Sequence, residues 1–486
     1  MSKFNNPRAL QPPRPPVVSA GPSVRVPTPV LPPPPLPTSN PLADIESSPA
    51  GEGPLVGVGF AAFCMLLLSG MLNDWALMAF HGKAYVSLVM VALTPALWLA
   101  CGNALRGFHD KIGASWVILI GLMLMTVPFS VWRSDSLIQI FSYVTRSICF
   151  YFYATAFCTS LKRCRRLMLV NIALEVMVLI SCAKFGYADI KMDNRFQILG
   201  SMFVGNSNDL ALNLTVGMSE FIFLFYLKGA GKRLLGIVGI LLSLFYMFKT
   251  GSRGCVLALG IAFLFTFALS KQKLRMALVA IPLLIIAVIF MPQSSARRIL
   301  LIFHGTSAPV TTGDDASALA SQAERTNLLE KSLSLTLHHP LFGVGMGQFV
   351  TAVMGEAAKE GKWAANLGTH NSYTQVSSEC GIPALVFYCS ILVFCFQRSY
   401  RLYQLAGRNA QFKQIEGLAF SLLIGTLVYA VATFFFHIAY SGLLPLISGE
   451  VMALHAIAYP LLSRAAHPER WEARRPGGSR LALQGQ

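Results

Sequence analysis

From Pro54 onward the chain is a series of apolar runs about as long as a bilayer is thick, divided mostly by short polar interruptions. A helix rises about 1.5 Å per residue, so about 20 residues cross about 30 Å of hydrocarbon. Lipid offers no partner to a backbone N–H or C=O, so a crossing segment must satisfy these groups within itself. The runs are 54–73, 84–103, 114–132, 137–160, 167–187, 207–227, 234–250, 254–270, 275–292, 382–400, 414–436 and 442–463. They predict an all-α polytopic membrane protein with about 12 transmembrane helices. Composition agrees: 13% of the residues are charged, against about 25% in soluble domains.

The net charge of +17 points to a membrane rather than to nucleic acid, because basic residues collect in cytoplasmic loops. One set of loops carries Arg106/Lys111, Lys162/Arg163/Arg165/Arg166, Lys228/Lys232/Arg233, Lys271/Lys273/Arg275 and Arg398/Arg401/Arg408/Lys413. The short loops of the alternating set carry only Lys83, Arg133, Lys191/Arg195 and Lys249/Arg253. That asymmetry predicts cytoplasmic termini, with 188–206, 251–253, 293–381 and 437–441 on the outer side. Residues 1–53 are rich in Pro, Ser and Val, and no apolar signal-peptide core lies near Met1. They read as a disordered cytoplasmic tail. Residues 464–486 read as a basic cytoplasmic tail. Between them lie nine spans over 54–292, a periplasmic segment over 293–381 and three spans over 382–463.

The 293–381 interval is too long for a mere connection, and such loops commonly carry function. Leu319 to Leu337 reads as an amphipathic helix with Leu328, Leu329, Leu333 and Leu337 on its apolar face. It ends before Pro340, because the residue preceding a proline resists helical geometry. Gly343-Val344-Gly345-Met346-Gly347 reads as a turn, and Gln348 to Gly361 as a second short helix. No cysteine or histidine spacing predicts a disulfide staple or a metal site, and no motif calls for a cofactor.

Several polar residues in apolar surroundings need a reason. Arg146 lies inside the fourth run, where an arginine costs about 2.5–3.5 kcal/mol on insertion scales. It either pairs with an acid such as Glu450, Glu175 or Glu220, or lines a cavity for an anionic lipid head group. Thr250-Gly251-Ser252-Arg253-Gly254 breaks an apolar stretch. Its glycines permit a tight turn and a close approach, and its arginine offers a planar fork suited to phosphate oxygens. Arg195 is a second candidate anion contact, and Asn206 to Asp209 read as helix N-caps. His370 follows Gly368-Thr369 shortly before the tenth run. A neutral imidazole there can take a proton from a hydroxyl, and nearby arginines would keep it neutral.

At these residues the chain resembles the bacterial O-antigen ligase and polymerase superfamily of integral membrane glycosyltransferases. The resemblance rests on Ser252-Arg253-Gly254, Glu324-Arg325, His339-Pro340-Leu341-Phe342-Gly343-Val344-Gly345, His370-Asn371-Ser372-Tyr373 and Glu379-Cys380-Gly381-Ile382-Pro383. Gly205-Asn206-Ser207-Asn208 stands where Asn-Pro-Asn is commoner. The resemblance implies a GT-C-like fold and a glycan donor on undecaprenyl diphosphate. It implies transfer without a metal ion to an acceptor hydroxyl of lipid A core, a growing glycan or a protein. On this reading His370, Arg253 and Arg325 are catalytic, and Arg195, Arg146, Asn371 and Tyr373 bind substrate. A secondary transporter is the alternative from another class. It predicts related halves and broken helices meeting at the midplane.

Overall fold

The computed structural model describes residues 53–80, 86–189, 195–198, 201, 204, 206–269, 273–274, 313–362 and 366–466. Residues 1–52, the 275–292 run, the start of the long interval at 293–312 and the tail beyond 466 lie outside the described residues.

The fold is an all-α polytopic membrane bundle. Helices α1 (Pro54–Phe80), α2 (Val86–Ala100), α3 (Lys111–Thr126) and α4 (Arg133–Tyr143) come first. A π-helical turn at Val144–Ile148 joins α4 to α5 (Cys149–Phe157), and α6 (Leu161–Phe185) follows. Next come α7 (Ser207–Phe221), α8 (Ala230–Lys249) and α9 (Arg253–Leu269). The long interval supplies α10 (Gly313–His338) and α11 (Phe349–Lys359). Helices α12 (Ser372–Ala406), α13 (Lys413–Ala432) and α14 (Leu443–Ala466) complete the described chain. Among the described residues, 8 helices are long and apolar enough to cross a membrane. Two shorter apolar helices, Val86–Ala100 and Arg253–Leu269, stand at the second and eighth runs.

One short sheet interrupts the helices. Strand β1 (Gly186–Asp189) pairs antiparallel with β2 (Arg195–Ile198), Asp189 opposite Arg195. Nothing in the apolar pattern announced it. Alternation along β2 buries Phe196 and Ile198 and turns Arg195 the other way. Phe196 stacks on Tyr246 of α8 with ring centroids 5.2 Å apart. The ribbon is thereby pinned to the bundle, and Arg195 is carried to a fixed place.

Helix α12 is the central pillar, packed against α3, α13, α14 and α10. At one end the Arg398 guanidinium forms a salt bridge with Asp110, the N-cap of α3. In its middle the Tyr388 and Tyr429 hydroxyls meet at 3.3 Å, joining α12 to α13. The α3–α14 seam holds a buried bond from Trp116 Nε1 to Ser448 Oγ at 3.0 Å.

Near its other end α12 is kinked at Gly381 (φ 85°), and the turn after α10 docks into that kink. Val344 N–H donates to Ser378 O at 2.9 Å, Gly345 N–H to Glu379 O at 2.9 Å, and Ile382 N–H to Pro340 O at 2.8 Å. The Glu379 carboxylate turns back to accept Gly347 N–H at 2.9 Å. The backbone groups freed at the kink are thus paired by another segment. The glycines are required on both sides. A Cβ at Gly381 would lie 2.2 Å from Leu341 O, and one at Gly345 would lie 2.1 Å from Ser130 Oγ.

Helix α10 differs from expectation in one respect. Leu328 is buried, but Leu329, Leu333 and Leu337 are exposed. The buried face is instead Leu328, Ser332, Leu335 and Thr336. The reason is the neighbour: the first turns of α12 are polar, and Thr336 Oγ1 lies 2.9 Å from Ser377 Oγ. A small polar face fits there and a leucine ridge does not.

Gly345→Ala adds a side chain where φ is 103° and where Ser130 blocks it. Such strain costs on the order of 1–3 kcal/mol before the clash is counted. The variant is expected to lower the melting temperature in detergent by several degrees, and an unchanged melting curve would refute this role for the turn.

Candidate functional site

The α12 end that carries the kink also carries the candidate site. Asn371 caps α12, its Oδ1 accepting Tyr373 N–H at 2.9 Å and Thr374 N–H at 3.2 Å. Just before the cap, His370 holds φ at 51°, the only positive φ outside glycine among the described residues. A left-handed backbone costs an ordinary residue about 1–2 kcal/mol, and such strain collects at functional sites. The cost is offset by stitching to the 433–442 connection between α13 and α14. Ser372 N–H donates to Thr433 O at 2.9 Å. Ser372 Oγ donates to Phe436 O at 2.7 Å and accepts Ile438 N–H at 3.1 Å.

His370 opens onto a cavity of about 890 Å³. The wall includes Arg146, Asn208, Asp209, His437 and, further along, Glu175 and Glu220. Asn206, at the head of α7, and Glu220, near its foot, both line it. Fourteen helical residues separate them, so the cavity runs about 21 Å along that helix. Asp209, Asn213 and Glu220 recur at helical spacing and give this wall a polar stripe, while Leu66, Phe150 and Leu446 supply apolar surface.

Arg195 and Arg253, two of the arginines proposed from sequence around His370, are each bonded to a neighbouring element. Arg195 Nε donates to Thr250 O at 2.8 Å and its Nη2 to Asn208 Oδ1 at 2.6 Å. One residue after Thr250, Gly251 takes φ 65°, and Arg253 opens α9. A Cβ at Gly254 would lie 2.6 Å from Phe435 Cβ, so the expected close approach is to the 433–442 connection. Arg253 Nη1 donates to Gln322 Oε1 of α10 at 3.4 Å, one turn before Arg325. The Arg325 charge in turn acts on His370.

Burial, more than the Arg325 charge, lowers the pKa of His370 below its ordinary 6.5. The sequence reading put the arginines first. Desolvation leads because the ring is wedged between the α12 cap and the cavity wall.

Arg146 comes to the cavity by a route invisible in the sequence. It sits in the π-helical turn, a feature frequent at functional sites, and it lines the cavity. Glu450, its suggested partner, is engaged elsewhere: Asn171 Nδ2 donates to Glu450 Oε1 at 2.7 Å. Asn371 and Tyr373 are placed differently from the others. Asn371 is the helix cap, and the Tyr373 hydroxyl donates to Ala430 O at 2.7 Å. His338 and His339 end α10 and are exposed.

Sequence reasoning passed over His437. Its Nδ1 accepts Thr369 N–H at 3.2 Å, and it lines the cavity beside His370. The one available signal was a histidine in Phe434-Phe435-Phe436-His437, where an apolar run ends.

The O-antigen ligase family model matches residues 238–389. Over that stretch the chain is similar to the O-antigen ligase family. The matched stretch holds Arg253, Arg325 and His370 and stops short of His437. It lies downstream of Arg146 and Arg195. The teichuronic acid biosynthesis protein TuaE of Bacillus subtilis (strain 168) is 26% identical over 249 residues, 49% of this chain and 49% of that protein. The chain thus spans about half the length of that curated relative.

Burial and the His370 charge lower the pKa of His437 from 6.5 to about 4. The unfolded chain therefore binds more protons than the folded one between these values, so stability is complete above pH 6.5 and falls as pH drops toward 4. At about 1.4 kcal/mol per unit the loss reaches about 3 kcal/mol. The melting temperature in detergent should fall between pH 7 and pH 5, and fall less in His437→Asn. Identical slopes in the two proteins would contradict the shift.

Proposed function

We propose that the protein transfers a glycan from undecaprenyl diphosphate to an acceptor hydroxyl at the periplasmic face of the inner membrane, without a metal ion. The observation that carries this reading is His370. It is a strained, half-buried imidazole kept neutral at the wall of a large cavity, with Arg325 acting on it. Similarity to the O-antigen ligase family over residues 238–389 supports the donor, and the loop-charge asymmetry supports the side of the membrane.

The chemistry is a direct displacement. The His370 ring takes the proton of the acceptor hydroxyl as its oxygen forms a bond to the anomeric carbon. The bond from that carbon to the diphosphate oxygen breaks, and the electron pair stays on the diphosphate. Arg253 and Arg325, with Arg195 behind them, offset the charge that grows there. Arg146, which lines the cavity, is a further contact for the anionic donor. One in-line step inverts the anomeric centre. The diphosphate is a good leaving group, so no strong protein acid is required.

We take ligation to lipid A core, or to a similar acceptor, as the first reading. Chain polymerisation is the second, favoured by a relative whose name places it in the making of teichuronic acid. The glycan profile of a deletion strain separates them: uncapped core indicates ligation, and single repeat units indicate polymerisation.

His370→Ala is expected to abolish transfer while the protein still purifies as a folded species. In the wild type, kcat/KM should be constant near neutrality and fall on acidification, because protonated imidazole cannot accept a proton. The lowered pKa puts that limb below 6.5. Full activity in His370→Ala, or an acid limb centred above 6.5, would remove the base assignment.

A further inference from the structure

We propose that His437 is a positioning residue for the transfer, holding the Thr369–His370 turn so that the His370 ring stays at the cavity wall. The proposal rests on the reading of His370 as the base.

His370 needs outside support, because its φ of 51° is a conformation an ordinary residue leaves when unrestrained. Support comes from both sides. Asn371, after it, is fixed by the α12 cap. Thr369, before it, is fixed by His437, whose Nδ1 accepts the Thr369 backbone N–H at 3.2 Å. The Thr369 hydroxyl, 3.0 Å from the same nitrogen, donates to Asn371 O at 2.9 Å. That bond bridges His370 and closes the turn around it.

The His437 ring lies beside Gln375, whose Oε1 accepts Ala439 N–H at 3.1 Å. Gly368 makes room for it, since a Cβ there would lie 2.7 Å from the ring. The acceptor at Nδ1 requires an unprotonated nitrogen. Burial, the larger cause, supplies that condition by lowering the pKa to about 4. His437 therefore acts on the reaction through His370 rather than on the sugar.

The test compares three variants of the full chain in proteoliposomes. The donor is the lipid extract of a strain lacking this enzyme, and initial rates are taken against donor concentration. His437→Phe keeps the ring and loses the acceptor. His437→Asn places an amide oxygen near the position of Nδ1. His370→Ala is the reference for the base. Displacing a reacting group by about 1 Å costs on the order of 100-fold, so His437→Phe should lose about 10- to 100-fold in kcat with the donor KM within about two-fold. His437→Asn should recover most of the loss. Wild-type turnover in His437→Phe, beside an inactive His370→Ala, would overturn the positioning role and leave the base intact. A loss carried by KM, or one that His437→Asn does not rescue, would overturn it as well. Activity in His370→Ala would instead strike the base assignment. If His437→Phe does not fold, Gly368→Ala displaces the same ring, and wild-type turnover in that variant would overturn the proposal.

Discussion

The arrangement of the candidate site depends on one join, the hydrogen-bonded docking of the Pro340–Phe349 turn into the Gly381 kink of α12. Helix α10, which carries Arg325, and the head of α12, which follows His370, are separate elements. The join holds them together through backbone bonds from Val344, Gly345 and Ile382 and through the Glu379 carboxylate. Backbone-to-backbone bonds at three points leave little freedom for sliding. A kinked helix frees backbone groups that need partners, and the protein uses that need to attach its large loop.

A second set of bonds does the same work on the opposite side of His370. The 433–442 connection is short, and its backbone is paired with Ser372 and Gln375. It brings His437 under Thr369 and Phe435 against Gly254. Segments 60 to 180 residues apart in sequence thereby converge at one end of the bundle. The electrostatic outcome is two imidazoles with lowered pKa, and the Arg325 charge acts on one of them. Desolvation is the larger cause for both histidines, so the packing, more than the nearby charge, sets their state.

The cavity has a wall of two characters. Leu66, Phe150 and Leu446 suit an acyl or prenyl chain, whereas the stripe on α7 suits water or hydroxyls. Arg146 joins it from a π-helical turn, which shifts the side-chain register of the fourth apolar run relative to an unbroken α-helix. Reading that run as regular helix placed Arg146 at a depth and left its direction open. The same limit explains α10. Its leucines recur at helical spacing, yet the buried face is set by the polar side chains of α12 that it meets, and periodicity alone does not say which of two faces turns inward.

Apolar runs of bilayer length dictated an all-α membrane bundle by themselves, because lipid leaves the backbone no other solution. Glycines around Arg253 marked a tight turn, and Pro340 marked the end of α10, since both are properties of one or two residues. The β-ribbon that aims Arg195, the left-handed backbone at His370 and the place of His437 were decided by tertiary structure. Each arises from pairing between distant segments, where the bonding partner, rather than the residue's own preference, sets the conformation.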